Sequence, residues 1–461
     1  MFYSSDTIAA ISTAHGTGGI GIVRISGENS FDIAEKIFKG KKSFRDMRSH
    51  SISYGKIINP KNGKTLDEVM ITKMRGPNTF TRENIVEINC HGSGIVLKGI
   101  LELVLQQGAR LAEPGEFTKR AFLSGRIDLS QAEAVIDIIN SKTEAGSKAA
   151  VDQLEGRLSQ KLAPAREKLV GVIAHIEAAM DYPEYDIEEI TCRKVYSQAL
   201  EVKEMLMDII KDFKRGRILR EGISAAIAGR PNVGKSSLFN ELSGKSRAIV
   251  TDVPGTTRDI IEEYINIGGI PLRLMDTAGI RETDDIVEKI GVERAEKIIS
   301  SSELIIVVVD ASTGLRDEDI EIIKMVSQKK ILIIANKIDI AASDHVVKDM
   351  KKKLKDKKII EASIKNNIGI DILENQIIEM FFKGGLNSEN DVIITNLRHK
   401  NLVDKAIQSI SEACEACEKG MPLDCVTIDI RNSAEFLGQI TGESIREDVM
   451  NEIFKKFCIG K

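Results

Sequence analysis

One stretch limits the folding choices of this chain more than any other. The run Ile223 to Ala228 is followed by Gly229-Arg-Pro-Asn-Val-Gly234-Lys235-Ser236-Ser237 and then by Leu238. The pattern G-x-x-x-x-G-K-[ST] between a strand and a helix is a phosphate-binding loop. Its glycines let backbone N–H groups curl around a β-phosphate, and the helix N-terminus adds a favourable dipole. Lys235 is expected to reach the β- and γ-phosphates, and the Ser236 hydroxyl to ligate Mg²⁺. Asn232, Gly234, Lys235, Ser236 and Ser237 are the candidates this loop contributes. Apolar-rich runs at Ile223 to Ala228, Leu272 to Met275, Leu304 to Val309 and Ile331 to Ala335 alternate with helical texture. Such strands are buried on both faces, as in a parallel sheet.

Three further elements follow in order. Asp276-Thr-Ala-Gly279 ends one strand; its Asp is suited to hold Mg²⁺ through water and its Gly N–H to sense a γ-phosphate. Asn336-Lys337-Ile338-Asp339 ends another. The Asp339 carboxylate is an acceptor pair for the N1–H and 2-amino donors of guanine, which adenine lacks, so it selects GTP over ATP. Between the phosphate loop and Asp276, Gly255-Thr256-Thr257-Arg258-Asp259 is a threonine-bearing loop that closes an Mg²⁺ shell only while γ-phosphate is present, which makes it a switch. Ser363-Ile364-Lys365 is a weaker fifth match, whose backbone N–H would contact the base. Together these resemble the G motifs of translation-factor-related GTPases. Ile280 stands where Ras-like enzymes carry a water-orienting glutamine, so another group must position the nucleophile. The Asn232 amide oxygen is suited to holding a monovalent cation against the phosphates.

The remaining chain has two other textures. Residues 1 to 118 mix short β-rich runs with Gly and Pro around one helix-like stretch, Ser30 to Phe38, and read as an α+β domain. Helical periodicity dominates from 119 to 216, through Leu129, Ala132, Val135, Ile136 and Ile139 and through Val195, Ala199, Val202 and Leu206. It returns from 384 to 461, after Gly384, Gly385, Asn387, Ser388 and Asn390 mark a linker. An α/β unit at 217 to 383 flanked by helices on both sides reads as a domain inserted into a helical one, which is tolerated where its own ends lie close together. The net charge of −4 among 461 residues supplies no global field for a polyanion, though a local basic patch stays compatible with it. No apolar run reaches the roughly 18 residues of a membrane helix, and the N-terminal residues lack the pattern of a signal peptide. Six cysteines are no disulfide framework, so a reducing cytoplasm is the expected compartment.

Several features lie outside the nucleotide motifs. Cys414-x-x-Cys417 is an isolated pair at helical spacing, which points to core packing before zinc. Cys458, the fourth-last residue given, reads either as a buried helix-end cysteine or as a thiol brought to a site. The Gly16–Arg24 segment is glycine-rich but reads as a turn into a strand. The segment from Pro114 to Leu129, with Glu116, Phe117, Arg120, Arg126 and Asp128, is a dense polar-aromatic patch whose plain reading is helix capping and domain contact.

With these motifs stand Pro77-Asn-Thr-Phe-Thr-Arg-Glu83, Pro114-Gly-Glu-Phe117 leading into Ala121-Phe-Leu, and the closing Cys458-Ile-Gly-Lys461. End to end, the chain resembles the tRNA-modification GTPase family MnmE (TrmE). The resemblance implies an N-terminal tetrahydrofolate-binding domain that drives a homodimer, a helical domain, and an inserted Ras-like P-loop GTPase domain. It implies 5-formyl- or methylene-tetrahydrofolate as ligand, contacted by Arg24, Glu83, Arg126 and Lys461, with Cys458 nearby. Arg82 stands where the family has glycine, which bears on the local turn. The family's K⁺ positions fall on Asn232, Thr251, Val253 and Thr256, its Mg²⁺ ligands on Ser236 and Thr257. Its water-orienting glutamate falls on Glu288, twelve residues after Asp276. A flavoprotein partner, MnmG (GidA), and tRNA are implied, with aminomethyl or carboxymethylaminomethyl addition at carbon 5 of a wobble uridine and GTP hydrolysis driving a conformational step. The competing reading is a ribosome-assembly regulatory GTPase. Such proteins generally append a KH domain, and its GXXG loop has no match after residue 384.

Overall fold

The computed structural model describes residues 6–14, 16–181, 188–245, 262–275, 298–340, 343–354, 357–382 and 394–460. Thr251, Val253, Thr256, Thr257, Asp276, Gly279, Ile280, Glu288, Lys461 and the 384–390 linker lie outside them. The described residues form two compact units. The first gathers Met1–Ile136, Leu154–Tyr182 and Leu423–Lys461; the second Asp137–Gln153 and Pro183–Pro422.

In the first unit, β1 (Ile8–Ile11), β2 (Gly18–Ser26), β3 (Phe38–Gly40), β4 (Ser51–Ile58), β5 (Thr65–Met74), β6 (Ile85–Gly92) and β7 (Arg110–Leu111) form one seven-stranded sheet of order β3-β4-β5-β6-β2-β1-β7. All neighbours run antiparallel except β1 and β7. Helices α1 (Ser30–Ile37) and α2 (Gly94–Gln106) cover one face. Alternation sets that face: Val23 and Ile25, Val69 and Ile71, and Val86 and Ile88 are buried with Ile33, Ile37, Ile100 and Leu103. At period two the other face turns outward, with Ile52, Tyr54 and Met70 exposed. Helices α3 (Glu116–Leu123) and α4 (Leu129–Asn140) follow β7. Asp128 starts α4 through a reciprocal cap, its carboxylate accepting the Gln131 amide while its own N–H donates to the Gln131 side chain, both at 2.9 Å.

Helix α5 (Glu144–Leu154) leads to α6 (Arg157–Asp181) and then α7 (Glu188–Ile210) and α8 (Phe213–Glu221). The second unit carries a six-stranded sheet of β8 (Ile223–Ala228), β9 (Glu262–Ile267), β10 (Ile270–Met275), β11 (Leu304–Asp310), β12 (Lys330–Asn336) and β13 (Ile359–Glu361), in order β13-β12-β11-β8-β10-β9. Its strands are parallel except β9, an antiparallel edge strand that the continuous-run criterion passed over. β8 and β11 are buried along their whole length, as expected of central parallel strands. Helices α9 (Lys235–Lys245), α10 (Asp317–Met325), α11 (Ser343–Lys353) and α12 (Ile370–Phe381) accompany the sheet. Then come α13 (Leu397–Glu418), α14 (Leu423–Thr441) and α15 (Glu447–Phe454). Within the second unit α7 packs along α13; within the first, α6 packs along α14. No helix of the described residues is long and apolar enough to cross a membrane.

Candidate functional site

The second unit builds its candidate site at the C-terminal end of β8. The strand runs straight into the loop, where Gly229 has φ 145°, Asn232 φ 62° and Gly234 φ 107°. Two of these are forced by neighbours as well as by φ. A Cβ on Gly229 would meet the Val308 carbonyl at 2.4 Å, and one on Gly234 would meet Asn336 Nδ2 at 2.3 Å. Only glycine fits such approaches. Lys235 opens α9 and donates from Nζ to the carbonyls of Gly229 and Arg230, at 2.8 and 2.7 Å. The ammonium is thus held over the loop it serves. Ser236 and Ser237 are exposed at the start of the helix, where hydroxyls and N–H groups meet an anion.

β12 delivers Asn336, and the residues that follow it, beside this loop. Asn336 is buried, and its amide is spent on structure: Nδ2 donates to the Val233 carbonyl at 2.8 Å and Oδ1 accepts the Ile364 N–H at 3.1 Å. It therefore ties the phosphate loop to the Ser363–Lys365 segment. Lys337, at φ 69°, donates to the Asn232 carbonyl at 3.0 Å and to Asp310 Oδ2 at 2.6 Å. Burial pushes the Asp310 carboxyl up, but Lys337 and Ser312 outweigh it and hold the group below its usual value. Asp339 is exposed, and its Oδ1 accepts the buried Ser363 hydroxyl at 2.7 Å. Ser363 thus orients the carboxylate, a side-chain role not foreseen for a residue singled out for its backbone. Sequence reasoning also missed Arg230. Its Nε donates to the fully buried Asp319 at 2.8 Å, bracing the loop against the N-terminus of α10.

The first unit holds a different cluster. Arg24 on β2 donates from Nε to Glu87 at 2.8 Å and from Nη1 to the Gly460 carbonyl at 3.2 Å, and lies 5.6 Å from the Phe117 ring centre. The Ser12 hydroxyl donates to the same carbonyl at 3.0 Å, and the Gly115 N–H to the Cys458 carbonyl at 3.3 Å. The C-terminal segment is thereby seated on the end of β1. Gly460 has φ 92°, and a Cβ there would meet the Ile11 carbonyl at 2.3 Å. Cys458 is exposed, which removes the buried helix-end reading.

Glu83 accepts from Ser26 at 2.6 Å and from Arg120 Nη1 at 2.9 Å. Arg120 is itself buried and also binds Asp6 and Glu116, at 2.8 and 3.0 Å; Arg110 pairs with the same two carboxylates. Burial alone would raise the Glu116 carboxyl, but Arg110, the Glu113 N–H and Arg120 hold it below its ordinary value. Glu116 and Arg120 thus belong to a buried ion network, more than the capping first read there. Arg82 adopts φ 62°, the region glycine favours, and its guanidinium donates to the Ser124 carbonyl at 2.7 Å. Arg126 is exposed, lies 4.8 Å from the Phe80 ring centre and donates to the Phe80 carbonyl at 3.2 Å. The structure brings Arg24 to the Gly460 carbonyl and Gly115 to the Cys458 carbonyl, and links Glu83 to Arg126 through the turn that carries Phe80 and Arg82.

With this geometry in place, comparison with known proteins identifies the lineage. The family model for the MnmE helical domain matches residues 129–458, and that for the GTP-binding protein TrmE N-terminus matches residues 7–126. The chain is 61% identical, over 100% of both chains, to the tRNA modification GTPase MnmE of Acetivibrio thermocellus, and 52% identical, again over 100% of both, to that of Alkaliphilus oremlandii. A solved structure of Aquifex aeolicus Era bound to GDP and AlF4− is 28% identical over 40% of this chain and 66% of its own, with a TM-score of 0.30. Two family models that together span residues 7–458 and full-length relatives of one kind lead to one conclusion: the chain belongs to the MnmE family of tRNA modification GTPases, enzymes that hydrolyse GTP.

Proposed function

We propose that this chain is a K⁺-activated GTPase that works with an MnmG-type flavoprotein on the wobble uridine of certain tRNAs. The one-carbon unit for carbon 5 would come from a tetrahydrofolate, and GTP hydrolysis would drive G-domain pairing within a homodimer. The proposed segments are 1–118 for folate binding and dimerisation, 119–216 and 384–461 for the helical domain, and 217–383 for the inserted G domain. The cytoplasm is the compartment this reading requires.

Fit of the residues to the implied groups supports this reading. Gly229 and Gly234 keep open a cradle that any Cβ would fill, which suits a phosphate chain. Ser236 presents an exposed hydroxyl at the head of α9 for Mg²⁺, with Thr257 as its proposed companion. The Asn232 carbonyl is already held by Lys337, so its exposed side chain is what would meet K⁺, alongside Thr251, Val253 and Thr256. Bound Mg²⁺ and K⁺ supply positive charge against the phosphate oxygens where negative charge grows during hydrolysis. Lys235 leaves its two carbonyls for those oxygens, and Asp339, steadied by Ser363, orients guanine. Glu288 is assigned to positioning the attacking water, and Thr256, Asp276 and Gly279 to the switch. Replacing Glu288 by Ala is expected to slow turnover on the order of 100-fold or more at unchanged GTP affinity.

The observation that supports the tRNA-modifying reading over a regulatory switch is the seating of the C-terminal segment on this sheet, with the Gly460 carbonyl on Arg24 and Ser12, the Cys458 carbonyl on Gly115, and the Cys458 side chain exposed. Arg24, Glu83 and Arg126, with Lys461, are the proposed folate contacts. Glu83 has both oxygens engaged by Ser26 and Arg120 and keeps acceptor capacity on each. The test is nucleoside mass spectrometry of tRNA from cells lacking this protein. Loss of the modified wobble uridine, restored by the intact gene and not by Cys458→Ser, is the expected result. Normal nucleosides in those cells would sink the proposal.

A further inference from the structure

Between residues 343 and 358 the chain places seven lysines against three aspartates, a local charge of +4 where the whole chain carries −4. The stretch covers α11 and the turn into β13. Topology decides where it lies. β8, β11, β12 and β13 are parallel neighbours, so each returning helix ends beside the start of the next strand. The ends of α10 and α11 therefore lie near the N-terminal ends of β12 and β13, whereas the phosphate loop leaves the C-terminal end of β8. Strands of six or seven residues set these two ends of the sheet about 20 Å apart. Lysines at the far end do not serve the nucleotide.

Part of this charge is spent locally. Lys351 pairs with Glu361 at 2.6 Å, and Lys358 with Glu379 at 3.2 Å. Lys324, Lys348, Lys352 and Lys353 are exposed and have no ion-pair partner among the described residues. A cation in the last turn complements the negative end of a helix, which suits Lys324 on α10 and Lys351 to Lys353 on α11. That need asks for neither three lysines in succession nor Lys348 a turn earlier. The apolar side chains of both helices turn inward: Ile323, Val326, Val347 and Met350 are buried in one core cluster. Among the described residues, Met325 is the one large apolar side chain these helices leave exposed. No aromatic residue occurs from 343 to 358.

We propose that Lys324, Lys348, Lys352 and Lys353 form a grip for the tRNA backbone at the end of the sheet opposite the phosphate loop. The surface rests on the tRNA-modifying reading given above. A lysine ammonium is a compact point charge that meets a phosphate without reading a base. Lysine is depleted from protein–protein interfaces, where aromatic residues are enriched. A helix that docks on lipid sets a broad apolar face beside its cations. A platform for single strands stacks bases on aromatic rings. The cluster has neither the apolar face nor the rings, and it fits the sugar–phosphate edge of a paired stem. Because it lies away from the phosphate loop, tRNA held there leaves the nucleotide site open.

The experiment titrates a labelled tRNA transcript with the full-length protein and follows anisotropy from about 50 to 200 mM NaCl. Each lysine that neutralises a phosphate adds about 0.7–0.9 to the slope of log affinity against log salt. Replacing Lys348→Gln, Lys352→Gln and Lys353→Gln together should make the slope shallower by about 2–3 and weaken binding on the order of 10- to 100-fold at about 100 mM salt. Lys324→Gln alone should lower the slope by about 1. GTP turnover without tRNA should stay at the wild-type rate in both. The control removes the same charge elsewhere, through Lys41→Gln, Lys42→Gln and Lys61→Gln at exposed positions, and should keep the wild-type slope. Equal losses in the two triple variants, or no loss in the first, overturn the surface, and wild-type binding of the transcript then leaves the tRNA-modifying reading standing. Wild-type protein that fails to bind the transcript also overturns the surface, whether or not it binds phosphatidylserine vesicles; nucleoside analysis decides the tRNA-modifying reading separately.

Discussion

Gly229 to Ser237 make the phosphate cradle from one unbroken stretch of chain, whereas the ion network around Arg120 reaches up to 114 positions along the sequence for its partners. In the cradle the work is done by backbone shape, by φ values near 107° and 145° that glycine tolerates, with one buried pair, Arg230 and Asp319, behind it. In the network the work is done by side-chain charge: Asp6, Glu83 and Glu116 surround Arg120, with Arg110 closing the outer edge. The first design fails when a single atom is added. The second fails when a single charge is removed, because a buried charge left without its partner is far costlier than the intact pair is stabilising.

The largest effect expected on either side is Gly234→Ala. The added Cβ meets Asn336 at 2.3 Å on a backbone that disfavours side chains, so loss of nucleotide binding should follow. Titration with a fluorescent GDP analogue checks it, and wild-type affinity would mean the loop is not shaped by that contact. Next comes Arg120→Met. Leaving Glu83, Glu116 and Asp6 short of their shared counter-charge should cost about 3–5 kcal/mol in urea unfolding. The same network carries a pH signature. The Glu116 carboxyl is held below its ordinary 4.5 in the fold, so its contribution is present above that value and is lost as pH falls further. Glu116→Gln should therefore flatten the acid side of the stability profile; an unchanged slope would remove Glu116 from it.

Asp339→Asn sharpens the comparison on the nucleotide side. Preference should move from guanine toward xanthine nucleotides, with GTP weakened on the order of 100-fold, while urea stability stays near wild type because Asp339 is exposed. Unaltered selectivity in competition binding would overturn the base assignment. Gly460→Ala is expected to be milder and local, about 1–3 kcal/mol from backbone strain. It should raise hydrogen exchange at the C-terminal segment without slowing GTP turnover. Smallest is Arg82→Gly. It trades relief at φ 62° against the lost bond to Ser124, so the net change in unfolding free energy should stay within about 1 kcal/mol.

Legibility followed this same division. The strand β8, its loop and the head of α9 were readable because periodicity and glycine spacing are properties of neighbours in sequence. So were β11 and β12, whose continuous apolar runs admit little else. β9 escaped because an edge strand alternates buried residues such as Ile265 with half-buried polar ones such as Glu263, which breaks the apolar run. At the site, Asn336 and Ser363 were readable as motif members but not in their roles. That Asn336 fastens two loops and Ser363 steadies Asp339 follows from three segments converging at strand ends.

Local chemistry along the chain thus determined the family, the glycine-shaped loop after β8, the candidate base-selecting carboxylate and the order of helical and sheet segments. Only the tertiary structure decided that Cys458 is exposed near an anchored Gly460 and that Arg120 sits among three carboxylates. The reason is physical. A turn, a cap or a phosphate cradle is satisfied by residues within a few positions of one another. A charge network instead acquires its energy from partners that share no sequence neighbourhood and meet only when helices and sheets pack.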